Sequence, residues 1–317
     1  MKLDRRHLLA ATLSAPLAAL PAIRRARAAD GKTLRVGFQK SDPVLMVAKA
    51  NKRLEALLGP KGYSVVWIEF EFGPPMLEAM RVGSIDIGLV GDTPPVFAQA
   101  AHSDLLYIGA SRATSQSLLL RAGSKIQTLA DLKGKKVAFG RGSSAHEFTL
   151  LVLEKAGLRY DHIQPVYLGP ADAGVAFERG AVDAWSIWEP YISLFVSRPG
   201  VRTLVTNNEL GERFSFVMGN GPFVRANAAL TSTVLEVLTA TAEYARGHHA
   251  EVAALLAGAT GMPEDLWSRA LVKAPFDVLP MNDELTRGQQ KIADRFRALG
   301  LVPVDIKVSD IVWRAGV

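Results

Sequence analysis

The sequence predicts an α/β protein of two similar lobes, each a mostly parallel sheet flanked by helices, with the chain crossing twice between them. Three observations predict it. Short apolar runs alternate with helical patterns from Leu34 onward, the order that builds parallel sheets covered on both faces. One local pattern occurs twice, in GSIDIGLVGDTPPVF at 83–97 and GAVDAWSIWEPYI at 180–192. Each is Gly-x-x-Asp, an apolar strand, a turn, an acidic or hydroxyl residue with Pro, and a helix. The chain has 317 residues and no cysteine, so two domains of ordinary size must rest on packed cores, without disulfides, zinc–thiolate sites or a Cys nucleophile.

The first 28 residues are expected to lie outside the fold. They have a basic start, an apolar middle broken by Pro16 and Pro21, and a small-residue site at Ala26-Arg27-Ala28, the anatomy of an export signal. Asp4-Arg5-Arg6-His7-Leu8-Leu9 fits the twin-arginine pattern, with an ordinary secretory signal as the alternative. Removing Lys2, Arg5, Arg6, Arg24, Arg25, Arg27 and Asp4 turns 37 basic and 31 acidic residues into 31 and 30, so a net charge of +6 becomes +1. The basic balance belongs to the precursor and does not indicate nucleic acid. Any anion selectivity must be local.

In chain order, 34–38 reads as a strand and 43–58 as a helix with Pro43 at its first position. Strands at 65–71, 85–89 and 105–109 alternate with helices opened by Gly73-Pro74-Pro75 and Asp92-Thr93-Pro94-Pro95. The order then restarts, with strands at 117–120, 136–139, 165–168 and 182–186 and helices opened by Ser144, Pro170 and Glu189-Pro190. The stretch 214–224 is strand-like, 226–302 mostly helical, and 308–313 a short amphipathic tail. Crossings near 115–118 and 215–219 give one lobe of 29–116 with 219–317 and a second of 117–218. Such lobes close on a ligand by hinge motion, with strand ends and helix starts facing the cleft.

Gly140-Arg141-Gly142-Ser143-Ser144-Ala145 between strand and helix matches a dinucleotide fingerprint, but the next strand ends Tyr167-Leu168-Gly169-Pro170 without the carboxylate a ribose needs. What remains is a turn in which Gly142 lets the backbone approach and Ser143 and Ser144 bring hydroxyls and N–H groups to a helix start, a holder for a small anion without net charge. Two catalytic motifs nearly match here. Gly142-Ser143-Ser144-Ala145-His146 has His where the nucleophile elbow has Gly, and His146-Glu147 has Leu150 where a zinc helix has its second His. Asp92-Thr93 reads either as a capped helix start or as a hydroxyl and N–H donor to the same anion. In Trp185-Ser186-Ile187-Trp188-Glu189-Pro190, alternation puts Trp185 and Trp188 on opposite faces, so one Trp should reach the cleft edge, and the other reading places both in the core. Glu189 reads as a helix start that hydrogen-bonds the ligand or bridges to the other lobe.

Stretches 34–41, 73–101, 131–146, 163–191 and 310–313 closely resemble the aliphatic-sulfonate-binding proteins of bacterial ABC importers. The wider group includes taurine, nitrate and pyrimidine-precursor receptors. The resemblance implies a type II periplasmic-binding-protein-like fold and a monomeric periplasmic receptor. Such a receptor delivers an alkanesulfonate to the membrane permease for sulfur acquisition, without catalysis, cofactor or metal. Carried over, the cleft uses Gln39, Thr93, Ser143, Ser144, His146, Trp188 and Glu189. The helix-start residues Gly73, Asp92, Gly142 and Ala145 complete the expected set. Ala145 stands where the family often has a third Ser, and Glu147 where it often has an amide. Glu189 replaces its usual Asp. Glu147 should therefore point away from the anion. The rival class is an enzyme acting on a pyrimidine-type precursor, for which only His146 could serve as the reactive side chain.

Overall fold

The computed structural model describes residues 32–272, 274 and 276–314. The export signal read at 1–28 lies outside them. Two five-stranded sheets organise the chain.

The first is built from β1 (Lys32–Phe38), α1 (Pro43–Ala50), α2 (Arg53–Leu58), β2 (Tyr63–Glu69), α3 (Gly73–Arg81), β3 (Ile87–Gly91), α4 (Thr93–Ala100) and β4 (Leu105–Arg112). The second follows with β5 (Gln116–Leu120), β6 (Lys136–Phe139), α5 (Ser144–Lys155), β7 (Gln164–Tyr167), α6 (Pro170–Glu178), β8 (Ala184–Trp188), α7 (Tyr191–Val196) and β9 (Arg202–Thr206). The chain then returns through β10 (Phe214–Asn220) to α8 (Gly221–Ala226), α9 (Ala228–Gly247), α10 (His249–Thr260), α11 (Glu264–Leu271) and α12 (Asp283–Ala298).

The sheet orders are β2-β1-β3-β10-β4 and β7-β6-β8-β5-β9. They are the same topology twice. In each, four strands run one way, and the strand fourth in order, antiparallel to both neighbours, comes from a crossing. The crossings lie side by side, with Ala113 N–H donating to the Arg213 carbonyl at 2.8 Å.

The repeated Gly-x-x-Asp has one structural meaning in both lobes. Asp86 N–H donates to the Arg35 carbonyl at 2.9 Å, and its carboxylate accepts the Arg35 N–H at 2.7 Å. Asp183 does the same to Lys136, its carboxylate accepting the Lys136 N–H at 2.8 Å. Each Asp fixes where its strand joins the neighbour. That is why β3 and β8 begin two residues later than the apolar runs suggest.

The expected helix over 43–58 is two helices. Lys52 sits at φ 49° between them, a left-handed conformation that ends a helix. The expected strand over 214–224 stops at Asn220, whose side chain accepts the Phe223 N–H at 3.0 Å and with Pro222 starts α8 instead. β9 lies at a sheet edge and was not anticipated. The helical tract is interrupted between α11 and α12, where Leu279 bridges to Ala110.

One core packs α1 and α9–α11 against the first sheet, a second packs α3, α4 and α12 on its other side, and a third fills the second lobe.

Candidate functional site

A cavity of about 60 Å³ lies where the lobes meet. It is lined from the first lobe by Gln39, Asp42, Gly73, Gly91 and Pro94, and from the second by Gln116, Ser143, Ser144 and Trp188. The lobes touch around it. A Cβ on Gly91 would stand 2.7 Å from Ser144 Cβ, and one on Gly140 would stand 3.1 Å from the Phe72 ring. Beside them Glu71 accepts the Ala171 N–H at 2.7 Å.

The start of α5 presents donors to this cavity. Gly142, at φ 69°, makes the tight turn into it. The Ser143 hydroxyl does not cap the helix but donates back to the Gly140 carbonyl at 2.7 Å. His146 N–H donates to the Ser143 carbonyl at 2.9 Å, which leaves the N–H groups of Ser144 and Ala145 to whatever occupies the cavity. Ser144 opens α5 on the cavity wall. Ala145 lies just behind, its carbonyl accepting from Thr149 at 2.7 Å and Ser186 at 3.1 Å. Gln39 lines the cavity while its amide donates to the Leu89 carbonyl at 2.9 Å. Trp188 faces Gln116 across the β5–β8 ladder. It is 6% exposed, and its indole N–H has no partner. Trp185 is turned the other way, packed on Phe195 with ring centroids 4.8 Å apart.

Four more of the expected residues sit behind the lining. Thr93 donates its hydroxyl to Asp92 at 2.9 Å, and Asp92 pairs with Arg213. Glu189 N–H donates to the Ser115 carbonyl at 3.1 Å, and its carboxylate accepts the Ser193 N–H at 3.0 Å at the start of α7. His146 is 1% exposed, with its ring stacked on Phe139. Its Nδ1 accepts the Gly142 N–H at 3.3 Å, so Nε2 carries the proton and donates to the Tyr160 hydroxyl at 3.0 Å. Burial, with the nearby Arg141 charge, lowers its pKa to about 3. It is a neutral strut that shapes the turn. Glu147 points away from the cavity, as expected, into Arg295 and Arg213. Burial still holds its carboxyl up at about 7 against the pull of those two cations.

Three lining residues were missed in the sequence. Asp42 caps α1, its Oδ1 accepting the N–H groups of Val44 and Leu45, both at 3.1 Å. Asp before Pro at a helix start is a readable signal for that role. Gln116 and Arg112 flank the first crossing, and nothing local marks them. Arg112 is engaged by Glu212 at 2.6 Å and by Asp277, so its charge is already balanced. The cavity thus offers neutral donors and apolar walls from Pro43, Val44, Leu89 and Phe276. Among the described residues no group of acidic, His or Cys side chains is placed to hold a metal.

Two similar lobes meeting over such a cavity define a class of receptor that closes on a small solute. The family model for the phosphonate periplasmic substrate-binding proteins of ABC transporters matches residues 61–261, and the chain belongs to this family of periplasmic solute receptors. More particularly, it is similar to the alkanesulfonate-binding protein of Xanthomonas axonopodis pv. citri bound to MOPS. That structure is 38% identical with TM-score 0.85, over 91% of this chain and all of that one. The periplasmic aliphatic sulphonate binding protein of Escherichia coli is 40% identical with TM-score 0.81, over 89% and 97% of the two chains. The desulfurization enzyme DszB, at 15% identity and TM-score 0.61 over 89% of this chain and 96% of that one, shares the fold alone.

Proposed function

We propose that this chain binds an aliphatic sulfonate between its lobes and hands it to an ABC importer in the membrane. The observation that carries the reading is the bare start of α5 beside the unpartnered Trp188 indole. A sulfonate stays ionised at all physiological pH values and offers only acceptors, so N–H groups and hydroxyls suit it and neither a base nor a metal is required. The buried walls receive the alkyl chain.

The protein acts as a monomer exported by the twin-arginine route, and it closes about the paired crossings that separate 32–116 and the C-terminal helices from the second lobe. Binding leaves the ligand chemically unchanged. The one reactive side chain the sequence offers near the cleft, His146, is walled in and uses both ring nitrogens.

Calorimetry with methane-, butane- and pentanesulfonate, sulfate and nitrate tests this, with mass spectrometry of the recovered ligand. Saturable 1:1 binding of intact alkanesulfonates supports it. Preference for nitrate or sulfate, or appearance of a product, overturns it.

A further inference from the structure

Four helices start at this cavity, and the starts of α5 and α1 differ in kind. That of α5 is bare, as described. That of α1 is closed. Pro43 has no N–H, and the next two, Val44 and Leu45, are both taken by Asp42 Oδ1. The other oxygen of the same carboxylate, Oδ2, is buried and has no partner, although Asp42 lines the cavity and is only 4% exposed. Gln116, 2% exposed on the second lobe's wall, has an equally bare Oε1. Among the described residues Asp42 and Arg112 are the only charged side chains lining the cavity. Arg112 spends its charge on Glu212 and Asp277.

The cavity therefore has two unmet sets of groups, the α5 donors and the Asp42 oxygen. A plain alkanesulfonate satisfies only the first. It would leave a buried carboxylate oxygen facing hydrocarbon, an expensive arrangement. We infer that Asp42 selects sulfonates whose tail ends in a protonated amine, which donates to Asp42 Oδ2 while the sulfonate sits at α5. Burial raises the Asp42 carboxyl to about 7, as expected of a carboxylate still lacking its cation. The inference rests on the sulfonate reading and adds the chemistry of the ligand's far end.

The test compares 3-aminopropanesulfonate with butanesulfonate, its near-isostere, by calorimetry at pH 8, in the parent protein and in Asp42→Asn. Asn caps a helix as well as Asp, and thermal unfolding confirms that the variant folds. Asp42→Ser, also a capping residue, serves as a second variant. The parent should bind the amine at least tenfold more tightly, and the preference should vanish in both variants. Ser144→Ala should weaken both ligands together and leave their ratio intact. Equal or tighter binding of butanesulfonate by the parent overturns the inference and spares the sulfonate reading. An amine preference that survives in Asp42→Asn also overturns it. Failure of every sulfonate to bind overturns both.

Discussion

At the scale of residues, the site is a set of hydrogen-bond vacancies, and each makes a measurable claim. Ser144 stands at the cavity wall on the first turn of α5. Ser144→Ala should weaken sulfonate binding by about 1–3 kcal/mol, the worth of a hydrogen bond to a charged group. Calorimetry reads this directly, and an unchanged affinity would move the head group elsewhere. Asp42 makes a different claim, on stability. Its carboxyl is raised from its ordinary value to about 7, chiefly by burial. A raised carboxyl keeps its proton in the folded protein where the unfolded chain has lost it. Its contribution is whole below about pH 4 and is lost as pH rises through about 7. Asp42→Asn has no such proton to lose. The ligand-free variant should gain on the parent by roughly 2–3 kcal/mol between pH 5 and pH 8, read by urea unfolding at each pH. A difference independent of pH would mean the carboxyl titrates normally.

At the scale of elements, the lobes are held by close approaches of backbone to side chain. Gly91 ends β3 directly against Ser144, where an added Cβ would overlap. Gly91→Ala should fold with its usual stability yet bind at least tenfold more weakly, because the lobes can no longer meet. Unaltered affinity would show that this contact is not part of closure. The alternation of strands and helices was legible because each α/β unit carries its own period. The duplicated Gly-x-x-Asp was legible as a repeat. Its purpose, pinning Arg35 and Lys136 of the neighbouring strands, needed the sheet order. Helix starts with their Gly, Ser and Pro were visible, so Ser143, Ser144 and Trp188 were anticipated at the cleft. Asp42 and Gln116 were not. Their importance lies in an oxygen left unpaired after folding, which no local pattern records. Thr93 and His146 show the converse. A hydroxyl and an imidazole beside the site in sequence are consumed by Asp92 and by Gly142 and Tyr160.

At the scale of the whole molecule, two sheets of the same topology meet over one cavity. Among the described residues no helix is long and apolar enough to cross a membrane. The leader should direct export, and replacing Arg5 and Arg6 together with Lys should leave the precursor in the cytoplasm. Normal export of that variant would favour general secretion. The ligand's tail should matter as much as its head. Each buried methylene contributes about 0.8 kcal/mol, so butanesulfonate should bind more tightly than methanesulfonate, and Trp188→Ala should flatten that series more than it lowers the affinity for methanesulfonate. A flat series in the parent would leave a receptor for small anions in general.

The most direct test of the central claim is a crystal structure of the protein grown with butanesulfonate. The sulfonate oxygens should lie within hydrogen-bonding distance, about 2.7–3.2 Å, of the Ser144 hydroxyl and the first N–H groups of α5, with the butyl chain against Trp188. A sulfonate found outside the cavity between the lobes, or seated with its head away from α5, would contradict it.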